Sequence, residues 1–89
     1  MSYSLSFLGV GFNVIFDGTD FNSLTTPGIY YYGTLMYKPN CPPHKESDAG
    51  ALFVIPTNNP NYQMQIAISL ESQIKISARL YIPGSWNTV

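Results

Sequence analysis

The sequence predicts an all-β fold, a small antiparallel sheet or sandwich of about five or six strands. Apolar and polar residues alternate through the C-terminal third, and several short apolar or aromatic segments are bounded by glycine and proline. The chain has 89 residues, which is enough for one small core but too few for a cofactor-binding domain beside a substrate-binding domain. We therefore expect one small β domain.

The first strand is predicted between Val10 and Phe16, where apolar residues alternate with Gly11 and Asn13. The turn-forming sequence Asp17-Gly18-Thr19-Asp20 follows directly. This strand is therefore expected to end in a tight turn.

Two further strands are predicted in the middle of the chain. Residues 28–33 are rich in tyrosine, which favours strands, and they follow a proline that fixes the backbone at the start of the strand or turn. Residues 50–56 form a continuous apolar run between glycine and proline, typical of a strand covered on both faces. Residues 38–50, with three prolines and the single histidine, are expected to form a loop.

The clearest periodic signal lies near the C-terminus. Even-numbered positions are apolar from Tyr62 to Leu70, and the same parity resumes from Ile74 to Ile82 after the polar break Glu71-Ser72-Gln73. This alternation predicts two half-buried strands joined as a hairpin. Apolar residues four apart also fit a helix, but a helix would carry apolar residues nearly all round, so the strand interpretation is preferred.

Composition restricts the possible partners. The net charge is −1 and only 10% of the residues are charged, so the basic surface that nucleic-acid binding needs is missing. A single cysteine excludes an intramolecular disulfide. No apolar run is long enough for a membrane span, and the uncharged N-terminal stretch lacks the positive start of a secretory signal. A surface of polar uncharged and aromatic groups suits contact with other chains or with neutral polymers such as sugars.

Few residues are candidates for catalysis or metal binding. Cys41 and His44 are three positions apart, and an imidazole beside a thiolate activates a cysteine nucleophile, but no orienting group accompanies them. His44 with Glu46 and Asp48 gives too few ligands for a supported metal site. Neighbouring acidic residues are better explained by turns than by a glycosidase pair. We expect a solvated loop here, and a protein that is not an enzyme and holds neither metal nor cofactor.

Aromatic residues make up 15% of the chain and are the main candidates for ligand contact. Tyrosine supplies a ring and a hydroxyl group, which suits both sugars and protein partners. Within a strand Tyr31 faces away from Tyr30 and Tyr32, so one of these phenols is expected at the surface or an interface. Trp86 is expected to cover the open end of the sheet, with ligand contact as the alternative. The candidate ligand-binding residues are Tyr31, Tyr37, Asn40, Tyr81 and Trp86.

Five short motifs occur in order along the chain. They are DFNSLTTPGIYY at residues 20–31, NCPP at 40–43, Gly50-x-Leu52-x-Val54, Gln65-Ile66, and Ile74-x-Ile76-x-x-Arg79 followed by Gly84-Ser85-Trp86. In this order they resemble the pyocin-knob type module found in tail fibres of phages and phage-like bacteriocins, over residues 17–89. Two positions depart from the family pattern, because Val89 replaces a second tryptophan and Ser77 replaces an arginine. The contacts that the family's second tryptophan and this arginine make are therefore not expected in this chain.

The resemblance implies a knob-like β domain at residues 17–89 of a homotrimeric fibre, with residues 1–16 as an N-terminal strand or arm outside it. The implied location is the tail fibre of a virion or a phage-like particle, made in the host cytoplasm. The implied function is non-enzymatic contact with a bacterial surface polysaccharide or protein, without membrane insertion. A trimerising or capping module with no receptor contact is the alternative. The implied structural motif residues are Thr26, Pro27, Gly28, Arg79 and Trp86.

Overall fold

The computed structural model describes residues 12–70 and 73–89, which form one six-stranded sheet. The strands are β1 (Phe12–Val14), β2 (Gly28–Tyr32), β3 (Ala49–Pro56), β4 (Gln63–Leu70), β5 (Ile74–Arg79) and β6 (Asn87–Thr88). The short 3₁₀ segment Phe21–Ser23 is the one helical element within these ranges. None of the helical structure described is long enough to cross a membrane. The all-β prediction is confirmed, while most of the expected N-terminal arm lies outside the described residues.

The strands follow one another across the sheet in chain order. β1 runs parallel to β2, and each later pair is antiparallel, so the sheet is mixed. The predicted hairpin is present, with β4 and β5 paired from Gln65 opposite Arg79 to Leu70 opposite Ile74. A parallel pair needs a crossover connection, and residues 15–27 make it. This crossover covers one face of the sheet, where Phe21 is completely buried.

The core lies between that face and the loops that cross it. Strands β2, β3 and β4 supply part of it and the loops supply the rest, with Leu24, Tyr30, Cys41 and Trp86 packed at its margin. The buried apolar residues are Ile15, Phe21, Tyr32, Leu35, Leu52, Val54 and Ala67. The loops are therefore held by a small apolar cluster that also fixes the side chains beside it.

The side of β4 and β5 that the loops cover is the polar one. Its residues Gln65, Ser69, Ser77 and Arg79 are buried, whereas the apolar even-numbered residues between them are only half-buried or exposed. The predicted half-burial of these strands is confirmed, but the apolar side is not the more deeply buried one. The loops explain this arrangement, because their backbone carbonyls have no partners in the sheet and need donors from side chains.

Strand β3 also differs from the sequence expectation. Leu52 and Val54 are buried against the loops, but Ala51, Phe53 and Ile55 on the other face are only half-buried. The expectation that this strand is covered on both faces is therefore wrong for the described part of the chain. A continuous apolar run does not show which of its faces will be covered, because both faces have the same composition.

Candidate functional site

The side chain of Arg79 is the centre of a polar cluster at the end of β5. Arg79 is only 2% exposed. Its Nε donates to Gln65 Oε1 at 2.7 Å and its Nη1 donates to the carbonyl of Gly84 at 3.2 Å. Gln65 in turn donates to the carbonyls of Phe21 and Leu24. One buried cation thus joins the hairpin to the crossover loop and to the turn after β5.

Trp86 covers this guanidinium group. The guanidinium carbon of Arg79 lies 4.6 Å from the centroid of the indole ring, which is within the range of a cation–π interaction. The indole also packs edge-on against Phe21, with ring centroids 6.4 Å apart. Its Nε1 donates to the carbonyl of Asn40 at 3.0 Å. The tryptophan therefore connects the C-terminal segment to the loop between β2 and β3.

Asn40 links this cluster to the carboxylate of Asp20. Its side-chain amide donates to Asp20 Oδ1 at 2.8 Å, and the backbone N–H of Asn22 donates to the same oxygen at 2.8 Å. These two hydrogen bonds, with the charge of Arg79, lower the pKa of Asp20 below its usual value. We call Asp20, Asn40, Arg79 and Trp86 the Trp86 cluster.

The loop that carries Asn40 contains two residues with left-handed backbone conformation. Tyr37 and Asn40 both have φ of 59°. Asparagine adopts this region readily, whereas a tyrosine there is uncommon and strained. The carbonyl of Tyr37 accepts from the N–H of Gly18 at 2.8 Å, and that of Pro39 accepts from the N–H of Phe21 at 2.9 Å. The backbone is thus held in place while the Tyr37 ring stays 72% exposed.

Lys38, next to Tyr37, is buried in spite of its charge. Its side chain is 2% exposed, and its ammonium group lies 3.0 Å from Asp17 Oδ1. Because Lys38 is buried and its charge is paired with Asp17, residues 37–40 expose Tyr37 and not a free cation.

The remaining candidate ligand-binding residues lie elsewhere. Tyr81 is half-exposed in the turn after β5, and its ring packs against that of Tyr62 with centroids 6.0 Å apart. Tyr31 lies in β2 on the face of the sheet opposite the loops. The structure therefore brings Asn40 and Trp86 into contact, places Tyr37 in the same loop as Asn40, and separates Tyr31 from all three.

The Thr26-Pro27-Gly28 motif forms the start of β2. The carbonyl of Thr26 accepts a hydrogen bond from the hydroxyl of Tyr30 at 2.6 Å, Pro27 is exposed, and Gly28 is buried. Gly28 is the first residue of β2 and pairs with Val54. These contacts set the position of the strand, and none of the three residues belongs to the Trp86 cluster.

A second polar network lies under the loop at His44. Its Nδ1 is hydrogen-bonded to Ser69 Oγ at 2.5 Å and its Nε2 to Ser77 Oγ at 2.7 Å. Ser69 is also bonded to the hydroxyl of Tyr32, and Ser77 to that of Thr88. Burial lowers the pKa of His44, and the nearby Lys75 lowers it further. A neutral imidazole, with one donor and one acceptor nitrogen, matches the two hydroxyl partners.

This network changes the interpretation of His44. The sequence predicted a solvated loop at His44, but both ring nitrogens are hydrogen-bonded to serines. Burial also raises the pKa of the Cys41 thiol, the reverse of what an activated nucleophile needs. Among the described residues, no group of three or more His, Cys, Asp or Glu side chains could hold a metal ion. The signal missed in the sequence is the small hydroxyl residues on the polar side of the hairpin.

Comparison with known proteins finds no family model, curated protein or solved structure that matches this chain.

Proposed function

We propose that this chain is a non-enzymatic receptor-binding module of a phage or phage-like tail fibre, and that it contacts a glycan on a bacterial surface. The motif order of the sequence supports the fibre assignment. The exposed, conformationally strained Tyr37 supports the binding role. As part of a fibre the module is a homotrimer, and it acts on a virion or phage-like particle outside the cell that made it.

The observation that carries the binding role is the backbone of the loop at residues 37–40. Strained residues persist where the surrounding structure holds them, and they occur preferentially at binding and catalytic sites. Here hydrogen bonds from Gly18 and Phe21 hold the loop from one side, and Trp86 bonds to it from another. The loop thus presents a fixed aromatic ring, which lowers the entropy cost of binding a ligand.

The chemistry of this surface suits a neutral sugar. An exposed phenol ring provides an apolar face for the C–H groups of a pyranose, and its hydroxyl bonds to sugar hydroxyls. Asn40 is exposed in the same loop, and its amide donates a hydrogen bond to Asp20. Lys38, within the loop, is buried and paired with Asp17, and Arg79, in contact with Trp86, is also buried. The surface therefore favours uncharged polysaccharide over a phosphate-rich polymer.

The test measures binding of the purified protein to arrays of bacterial O-antigens and capsular polysaccharides, and adsorption to the corresponding cells. We expect the native protein to bind at least one of them. The informative variant is Tyr37→Asn, because asparagine accepts the left-handed backbone and removes only the ring. Loss of one stacking contact of about 1 kcal/mol is expected to weaken binding by roughly fivefold.

The matched control is Tyr62→Asn, which removes a half-exposed phenol ring outside loop 37–40. We expect it to bind like the native protein. Equal losses in both variants would contradict the assignment of binding to this loop. If the native protein binds no surface polysaccharide and no cell at high micromolar concentration, the receptor-binding role is wrong.

The alternative is a structural trimerising or capping module. One observation favours a structural role for Arg79 and Trp86 over ligand contact, because both are engaged in contacts within the chain. Under this alternative Tyr37→Asn leaves particle adsorption unchanged, whereas Trp86→Ala prevents assembly of the fibre.

A further inference from the structure

An open groove lies on the surface between the turn after β1 and the segment that follows β2. Its volume is about 620 Å³, within the range of roughly 300–1,000 Å³ that is typical of ligand-binding clefts. The described residues that line it are Ile15, Phe16, Asp17, Gly33, Thr34 and Lys38. None of these six was among the residues that the sequence predicted to bind a ligand. We call this site the Asp17 groove.

Contacts within the chain hold both walls of the Asp17 groove. On one side the N–H of Thr19 donates to the carbonyl of Phe16 at 3.1 Å and closes the turn. Ile15, which precedes this turn, is buried in the apolar core. On the other side the N–H of Leu35 donates to the carbonyl of Glu46 at 2.8 Å, and the Leu35 side chain belongs to the same core. The groove is therefore formed before a ligand binds, which lowers the entropy cost of binding.

The ion pair between Asp17 and Lys38 gives the groove a hydrogen-bond acceptor with a balanced charge. The side chain of Asp17 is 69% exposed, whereas that of Lys38 is 2% exposed. Lys38 Nζ donates to Asp17 Oδ1 at 3.0 Å. An ionised carboxylate has about four lone-pair positions, so it still accepts hydrogen bonds from a ligand while it is bonded to the lysine. Because the lysine charge offsets the carboxylate charge, this acceptor favours the hydroxyl groups of an uncharged ligand over cations.

Phe16 adds an apolar surface to the same groove. The residue is 71% exposed. An isolated apolar side chain is common on a protein surface, but this ring lines a groove together with an exposed carboxylate and the half-buried Thr34, which supplies a hydroxyl group. A pyranose has apolar C–H faces and a rim of hydroxyl groups. The combination of an aromatic ring with a few polar groups therefore matches a sugar.

We propose that the Asp17 groove binds one neutral pyranose of the surface polysaccharide, which packs a face on Phe16 and donates hydrogen bonds from its hydroxyl groups to Asp17. The inference rests on the proposed function and adds a second sugar contact to that of Tyr37. The N–H of Gly18, next to Asp17, donates to the carbonyl of Tyr37 at 2.8 Å. Because the two contacts lie on directly bonded segments, units of one polysaccharide chain can occupy both.

The first test uses arrays of bacterial polysaccharides that are either neutral or carry uronic acid, sialic acid or phosphate. We expect the native protein to bind a neutral one. Phe16→Ala removes the exposed ring and is expected to weaken this binding roughly fivefold. Combined with Tyr37→Asn the loss is expected to be roughly twenty-five-fold, because the effects of separate contacts multiply. The matched control is Tyr62→Ala, which removes a half-exposed ring outside the groove and is expected to bind like the native protein.

Asp17→Asn tests the carboxylate. A neutral amide makes weaker hydrogen bonds with sugar hydroxyls, so the variant is expected to bind at least roughly tenfold more weakly. Its folding is checked by circular dichroism, because the substitution leaves the buried Lys38 without its ion pair. The control is Glu46→Gln, which removes an exposed carboxylate that does not line the groove and is expected to bind like the native protein.

A second measurement needs no variant. Oligosaccharide fragments of the bound polysaccharide are added to the isotope-labelled native protein, and its backbone amide resonances are followed by nuclear magnetic resonance. We expect the resonances of Gly33 and Thr34, which line the groove, to shift. Shifts at Tyr37 and Asn40 without any at Gly33 and Thr34 would overturn the groove assignment.

The outcomes separate this inference from the proposed function. If Tyr37→Asn weakens binding while Phe16→Ala and a folded Asp17→Asn bind like the native protein, the groove assignment is wrong and the receptor-binding role stands. Binding to anionic polysaccharides alone contradicts the assignment of a neutral sugar to the groove. A native protein that binds no polysaccharide and no cell overturns both.

Discussion

Arg79 is held against the face of the Trp86 ring, with its guanidinium carbon 4.6 Å from the ring centroid. The same side chain donates to Gln65 and to the carbonyl of Gly84. Trp86 in turn contacts Asn40 and Phe21, which lie in the loops on either side of β2. The interaction therefore joins distant parts of the chain.

Replacing Arg79 with lysine is expected to destabilise the protein. Lysine keeps the charge but cannot reproduce the fork that bonds Gln65 and Gly84, nor the planar contact with Trp86. We expect a loss of about 2–3 kcal/mol in the free energy of unfolding, measured by urea denaturation. The control is Lys75→Ala, an exposed cation on the same strand, with an expected change within about 0.5 kcal/mol. A similarly small change for Arg79→Lys would show that the hydrogen bonds of the guanidinium group contribute little to stability.

The effect of a substitution at Tyr37 on stability is expected to depend on the backbone preference of the new residue and not on its size. Tyr37→Asn relieves a left-handed tyrosine and is expected to leave stability unchanged or raise it, whereas Tyr37→Val is expected to lower it by about 1–3 kcal/mol. Thermal and urea unfolding measure the stability of both variants. Phe16→Val serves as the control, since Phe16 is equally exposed and does not have positive φ. Equal effects of asparagine and valine at residue 37 would argue against strain at this position.

Gly50 is expected to tolerate no side chain. A Cβ atom there would meet the backbone carbonyl of Ile68 and would lie 2.6 Å from the hydroxyl of Tyr32. Gly50→Ala is therefore expected to cost more than about 2 kcal/mol in unfolding free energy, at the upper end of single substitutions. Gly33→Ala is the matched control, because no atom lies within 4 Å of the added Cβ. Comparable unfolding midpoints for the two variants would contradict this packing.

Stability is expected to fall as the pH is lowered through the range in which histidine titrates. The pKa of His44 is lower in the folded protein, so the unfolded chain takes up the proton first, at its ordinary pKa of about 6.5. The stability contributed by neutral His44 is thus complete above that pH and decreases below it. Urea unfolding of the native protein and of His44→Gln between pH 8 and 5 measures this effect.

The glutamine variant is expected to show a flatter pH dependence over this range. The titration of Asp20, whose pKa is lowered, belongs to more acidic solutions and does not contribute here. If the unfolding free energy of the native protein and of His44→Gln changed with pH at the same slope, His44 would not be the titrating group.

The strands and their order along the chain follow from local sequence. Alternation from Tyr62 to Leu70 and from Ile74 onward predicted the hairpin, and Thr25-Thr26-Pro27 marked the start of β2. These features depend on residues a few positions apart, because strand periodicity and turn chemistry act over that distance. The parallel pairing of β1 was not predicted, because it depends on how residues 15–27 cross the sheet.

The candidate site was predicted only in part. Tyr37, Asn40 and Trp86 were selected as aromatic or amide residues suited to ligand contact, but the hydrogen bond between Trp86 and Asn40 spans 46 positions. The serines bonded to His44 lie 25 and 33 positions from it. No local pattern specifies such partners, because they meet only after the loops have folded onto the sheet.

The sequence by itself determined an all-β chain with few charges and a strand hairpin that has one apolar and one polar side. Only the tertiary structure decided which side the loops would cover. On the polar side, Gln65 and Arg79 donate hydrogen bonds to the carbonyls of Leu24 and Gly84. The side chains described on the apolar side of the hairpin have no such donors, and a carbonyl buried there without a partner would be costly.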